Sequence, residues 1–392
     1  MMLRLFVTGI CAWTFAAGGF AAESTPLIPA DGAGSVSGAW KTTDNTTAGN
    51  AEGGAAIWMS PGEYRDAEVS VRFNVENPGA RAGVLLRAHR LEKMSDPSQQ
   101  ALYGYRINID PAAKDGTAGI LEENGRGRLA FPSIDAQEAV VQGWNTLEAS
   151  AKGDVIEVRL NGVIACRLQD EAFTAGRIAL IVEPPDGQEK ATVQFEDARV
   201  NDLGDATAWK SLFDGKTLVG WKEWGSEKWT VVDGTIQGRR GPKNSEGYLA
   251  TEKIWSDFRV RGEFKMLGDG NYGLFYHSRI KPKDDGYPVI SGVQGEVMPG
   301  RPAETGRLYE SYRRGWLMPK NHTDIGSWAL REGEWNSVEI RSRGNHATTW
   351  VNGIRVIDLI DPAPQVFEGS FALQLHTGDG AGIDWRGLYV EE

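Results

Sequence analysis

Four short runs in the C-terminal half of this chain carry the side chains best suited to chemistry. The first holds His277 and Arg279, the second Gln294 and Glu296, the third Gln374 and His376, and the fourth Asp384 and Arg386. A carboxyl and an imidazole brought together are the residue types of general acid–base catalysis. A guanidinium such as that of Arg386 can hold developing negative charge. His277, Glu296 and His376 make a candidate two-histidine, one-carboxylate set for one divalent metal, Ca²⁺, Mn²⁺ or Zn²⁺, although no compact ligand motif accompanies them. Gln294, Gln374, Asp384 and Tyr309 are the candidates for contacting a substrate. His322 and His346 read as loop or turn residues.

The spacing says which elements must position these groups. In each run the polar residues lie two apart, with apolar neighbours such as Tyr276, Val293, Leu375 and Trp385 between or beside them. Alternate residues of a strand share a face, so four strands are expected to show polar groups on one side and apolar groups on the other. On a curved sheet the polar side would be the concave groove. The competing explanation is that antiparallel sheets often have one solvated face, which any polar residues would serve. Helical periodicity is almost absent, and short apolar-alternating runs are broken by Gly, Pro, Asn and Asp. That pattern predicts an all-β sandwich or barrel.

The chain also repeats itself. Trp144-Asn145-Thr146-Leu147-Glu148 precedes Asn161-Gly162 by the same interval that separates Trp335-Asn336-Ser337-Val338-Glu339 from Asn352-Gly353. Each Asn-Gly lies between alternating runs and signals a hairpin turn. Gly83-Val84-Leu85-Leu86 parallels Gly273-Leu274-Phe275-Tyr276, and Gly176-Arg177-Ile178 parallels Gly369-Ser370-Phe371. The first copy has Arg87, Arg106, Asn108, Glu183 and Glu196 where the second has His277, Gln294, Glu296, His376 and Arg386. The strands persist without the candidate residues, so the fold does not require them.

Met1–Ala22 has the form of an export signal, with Arg4 before an apolar run and small residues at its end. Residues 23–203 and 204–392 are then the two domains, and the expected location is periplasmic or secreted. With Cys11 discarded, Cys166 alone remains and no internal disulfide can form. A net charge of −11 argues against nucleic acid as a partner, and no later stretch is apolar enough to span a bilayer. Oligomeric state is not legible.

The second copy opens Phe213-Asp214-Gly215-Lys216-Thr217-Leu218-Val219-Gly220-Trp221 and continues through Trp229-Thr230-Val231-Val232-Asp233-Gly234 and Gly247-Tyr248-Leu249-Ala250-Thr251. It resembles the domain of unknown function 1080 family, the 3-keto-disaccharide hydrolase or 3-keto-glucoside lyase/hydratase domain. The first copy resembles the same fold without the opening motif. The resemblance implies two tandem concanavalin/laminin-G-like jelly-roll β-sandwiches and a carbohydrate partner, with no organic cofactor. It further implies cleavage of a 3-keto-glycoside by elimination and hydration. Glu296 or His376 would then be the base and the other the acid, with Arg386 or a divalent cation holding the enediolate. Departures from the family pattern fall at Gln294-Gly295-Glu296, Tyr276-His277 and Trp385-Arg386-Gly387. The alternative function is a non-catalytic carbohydrate-binding or adhesion protein, since sandwiches of this type often only bind. An ordinary glycosidase would need two carboxylates flanking the bond, for which Glu296 and Asp384 are the candidates.

Overall fold

The computed structural model describes residues 24–29, 33–77, 79–93, 96–114, 116–205, 207–242, 246–282, 287–299, 304–318, 328–364, 366–378 and 380–392. The expected export signal, Met1–Ala22, and His322 lie outside them. Alternation in the sequence becomes alternation across strands. In Phe258–Leu267, Phe258, Val260, Phe264 and Met266 point into the core while Arg259, Arg261, Glu263 and Lys265 point out. Strands of this kind build four antiparallel sheets, which pack in pairs as two tandem sandwiches. One five-residue helix, Ile134–Glu138, interrupts the first; Ser133 caps it by accepting a bond from the Ala136 amide.

In the second sandwich the back sheet runs in the order Lys228–Val232, Thr235–Arg239, Gly382–Glu391, Phe258–Leu267, Asn336–Arg343, His346–Val351, Ile354–Ile360. The front sheet runs Trp221–Trp224, Gly247–Thr251, Ser370–Leu375, Tyr272–Pro282, Pro288–Val297, Leu308–Ser311, Gly315–Trp316. The first sandwich repeats this order along most of its length. Its Arg81–Lys93 pairs Asp96–Ile109 and Gly176–Glu183 as Tyr272–Pro282 pairs Pro288–Val297 and Ser370–Leu375.

The repeated Trp-Asn and Asn-Gly sequences are one device used twice. Asn336 Oδ1 accepts from the Arg331 amide at 2.8 Å while its Nδ2 donates back to Arg331 O at 2.7 Å. Asn145 does the same with Val141. The hairpin residues Asn352 and Asn161, both at φ 49°, then donate to the Oδ1 of Asn336 and Asn145. Asparagine suits this because it tolerates the left-handed turn and offers both a donor and an acceptor.

The copies are also docked together. Phe173 and Ile354 form a β-bridge, flanked by Thr174 N–H donating to Gly353 O and Arg355 N–H donating to Ala172 O. Trp350 Nε1 donates to Glu171 O at 2.7 Å, and Arg341 forks onto the Glu171 carboxylate. Buried Glu339 accepts from Arg65 of the first copy and Arg259 of the second. These contacts fall on the back sheet of the second sandwich and its hairpin turns. The front sheet is the one that carries Gln294, Glu296 and Gln374.

Candidate active site on the front sheet of the second copy

Register brings four of the expected residues onto the outer face of this sheet. Gly273 lies opposite Glu296 on one side and Gln374 on the other, and Gln374 lies opposite Tyr248. In the neighbouring row, Gln294 sits between Phe275 and Tyr309, and Tyr309 pairs with Trp316. Gly273 is required where it stands: a Cβ there would come within 2.3 Å of Gln294 Nε2, because the glutamine lies across it. Gln294 Nε2 so placed reaches Gln374 Oε1 at 2.6 Å, Tyr272 O at 3.1 Å and Glu296 Oε1 at 3.3 Å.

Glu296 is the chemically unusual member. It is 3% exposed and accepts from Asn271 Nδ2 and Gln294 Nε2, which are uncharged. Burial pushes its carboxyl up to about 8, with the charge of Glu304 acting in the same direction and the Asn271 bond only partly opposing them. The group therefore keeps its proton at neutral pH. His376 flanks the same face. Its backbone N–H donates to Asn271 O at 2.9 Å, so Asn271 links both groups. Its ring is 40% exposed, with Nε2 3.4 Å from Glu246 and Nδ1 2.9 Å from Thr377 Oγ1. Two strand spacings of about 4.8 Å each separate the strands of Glu296 and His376, which leaves room for a sugar ring.

The structure also corrects the expected cluster. His277 leaves the face because the ladder carries a bulge between Tyr276 and Arg279, where His277 adopts φ 49°. Its Nε2 bonds to Ser256 O at 2.7 Å and its ring packs on Phe258 and Tyr276. Arg87 occupies the same left-handed bulge in the first copy and bonds to Phe173 O and Asp66. The expected His277, Glu296, His376 metal set is thus not assembled. Among the described residues no three His, Cys, Asp or Glu side chains are grouped to hold a metal ion.

Asp384 and Arg386 belong to Gly382–Glu391, in the back sheet, and so lie on the opposite side of the sandwich from Glu296. Asp384 pairs with Arg239 at 2.6 Å. Arg386 pairs with Glu263 at 2.6 Å and covers the Trp335 ring. The first copy holds the same arrangement with its charges exchanged: Arg72 pairs with Glu196 and covers Trp144. An ion pair kept with reversed polarity is a structural device. His346, set aside from the sequence, pairs with Asp358.

Several neighbours of the site were not singled out from the sequence: Asn271, Glu246, Tyr248 and Trp316. Tyr248 is fully buried, its hydroxyl beside Glu246 and Gln374 but within hydrogen-bonding geometry of neither. Burial, then the Glu246 charge, pushes its phenol well above the ordinary range. The copy-to-copy comparison could have found it, because the first copy has Ile57, Ile181 and Leu121 at the registers of Tyr248, Gln374 and Tyr309. There Arg106 pairs with Glu123 and Glu183, so that face holds satisfied ion pairs over apolar side chains.

The fold is an antiparallel β-sandwich, present twice. The chain belongs to the 3-keto-alpha-glucoside-1,2-lyase-like domain family, which matches it over residues 22–201 and again over 208–391. A 3-keto-disaccharide hydrolase of Bacteroides thetaiotaomicron is 32% identical over 100 residues, 23% of this chain and 34% of that protein. The match thus spans about a third of that relative's length. Among solved structures, a candidate glycosyl hydrolase of Parabacteroides distasonis is 20% identical, covering 47% of this chain and 93% of that one at a TM-score of 0.35. A carbohydrate binding module of Bacillus subtilis is 15% identical, covering 44% and 96% at a TM-score of 0.28.

Proposed function

We propose that the front sheet of the second copy cleaves 3-keto-glycosides by elimination and rehydration, after export directed by Met1–Ala22. The observation that carries this reading is Glu296, a carboxyl held protonated by burial among amides on a face that the first copy fills differently. A ketone at C3 acidifies the C2 proton and places the C1 oxygen β to the carbonyl. His376, the more exposed group, takes the C2 proton; the C1–O bond breaks, and Glu296 delivers its proton to the departing oxygen. Water then adds at C1 as a proton returns to C2, giving net hydrolysis.

The enediolate oxygens need donors, and Arg386 is on the other sheet. The amide groups of Asn271, Gln294 and Gln374 are the ones that face this side, and Gln374 keeps its Nε2 free of Gln294, which bonds its Oε1. A divalent cation, expected from the sequence, finds no group of three ligand side chains among the described residues. Chelation followed by addition of Ca²⁺, Mn²⁺ or Zn²⁺ tests its involvement directly. The first copy, with its ion-paired and apolar face, serves as a scaffold for the second.

The test is a substrate panel. The mature protein should release the aglycone or sugar from 3-keto-disaccharides and leave the unoxidised sugars intact. Glu296→Gln and His376→Ala should each cut turnover about 100-fold or more with the fold retained. Saccharide binding with no turnover of any 3-keto substrate would favour the non-catalytic alternative and reject this reading.

A further inference from the structure

The hairpin of Leu308–Ser311 and Gly315–Trp316 closes one edge of the front sheet and carries three aromatic residues. Tyr309 faces outward beside Gln294, and its ring meets Trp316 edge-on at 5.4 Å between centroids. Tyr312, at the turn, is 62% exposed and adopts φ 57°. The left-handed region is one that Asn and Gly enter easily and a bulky aromatic seldom does.

The first copy shows what the turn itself requires. Its matching hairpin, Ile120–Glu123 with Gly127–Ala130, has Leu121 at the register of Tyr309, Arg128 at that of Trp316, and Asn124 at that of Tyr312. Asn124 holds φ 52° and donates to Leu102 O at 2.9 Å. The turn is therefore best served by asparagine, and the second copy keeps an exposed tyrosine instead. All three aromatic replacements occur in the copy that carries Glu296, Gln374 and His376. The tyrosine is held in place by its neighbours: Arg313 and Arg314 bind Glu310, and Arg314 also forks onto Asp361. The hairpin borders the face that holds Gln294 and Glu296, with Tyr309 opposite Gln294.

We propose that Tyr309, Tyr312 and Trp316 form a stacking platform for a second hexopyranose ring, the one that leaves, while the 3-keto ring lies over Gln294, Glu296 and Gln374. This rests on the reading that the face takes a glycoside. A pyranose presents a C–H face that packs against an aromatic ring, and an exposed tyrosine supplies such a surface with little side-chain ordering. Tyr312 then sets preference for disaccharides over 3-keto-glucosides with a small alkyl aglycone.

The experiment compares wild type, Tyr312→Asn, Tyr312→Phe and Trp316→Ala on a 3-keto-disaccharide and a methyl 3-keto-glucoside. Tyr312→Asn restores the turn's preferred residue, so the melting temperature should stay level or rise. Its KM for the disaccharide should rise about tenfold with kcat unchanged, while kinetics on the methyl glycoside stay the same. Tyr312→Phe should behave as wild type, and Trp316→Ala should likewise raise the disaccharide KM. Saturation-transfer NMR with the unoxidised disaccharide reads the platform without turnover: wild type should show transfer to the sugar ring protons, and Tyr312→Asn should not. Unchanged disaccharide KM and undiminished transfer in Tyr312→Asn would overturn the platform. A wild type that turns nothing over yet shows the transfer, with Tyr312→Asn abolishing it, would reject the proposed reaction and leave the platform standing.

Discussion

Glu296 shows how position alone can set a role. A carboxyl in water is charged at neutral pH; here it is buried against the amides of Asn271 and Gln294 and held up to about 8. A proton donor of this kind works while it is protonated, so kcat/KM should fall as pH rises through about 8. Glu296→Gln should remove that alkaline limb together with most of the activity; a limb that survives the substitution belongs to another group. The same shift bears on stability. The ordinary value is 4.5, so between that pH and about 8 the folded chain holds a proton that the unfolded chain releases. Stability from this group is complete at low pH and declines across that window as pH rises. Denaturant titrations of Glu296→Gln should show a flatter pH dependence over the same interval.

At the scale of strands and turns, the bulge and the two-sheet arrangement explain what could be read from the sequence. The Trp-Asn and Asn-Gly repeats and the alternation of Phe258–Leu267 were legible because each follows from local geometry: a left-handed hairpin residue, and side chains two apart on one face. The placing of Gln294, Glu296 and Gln374 together was legible for the same reason. His277 was not, because counting by twos assumes an unbroken ladder and the extra residue between Tyr276 and Arg279 breaks it. Asp384 and Arg386 were not, because alternation separates inside from outside but does not say which of two sheets a strand joins. Tyr248 was hidden within a run that reads as plain core. The Glu263–Arg386 pair gives this level its prediction. Arg386→Ala should leave turnover within about twofold, and the exchange Glu263→Arg with Arg386→Glu should restore the stability each single change loses, about 1 kcal/mol or less for a half-exposed pair. Loss of turnover in Arg386→Ala at unchanged stability would return that residue to the chemistry.

For the whole molecule, the first copy is docked on the back sheet of the second, away from Glu296. Burial alone would raise the Glu339 carboxyl, but Arg65 and Arg259 outweigh it and hold the group below the ordinary carboxylate value. Its contribution is therefore present above that ordinary value and is lost as pH falls through the lower, folded one. Calorimetry should show the two sandwiches melting together near neutral pH. Glu339→Ala, which leaves Arg65 and Arg259 without their buried partner, should cost about 3 kcal/mol and separate the transitions. Among the described residues no helix is long and apolar enough to cross a membrane. The central claim concerns the bond that breaks first, and C2 of the substrate reports it. With His376 open to solvent, a proton taken from C2 exchanges with water. Turnover of a 3-keto-disaccharide in D₂O, followed by NMR against an enzyme-free control, should therefore give a product carrying deuterium at C2. Cleavage at the enzyme's rate with the C2 proton retained, or equal release from the unoxidised disaccharide, would contradict elimination and point to direct hydrolysis.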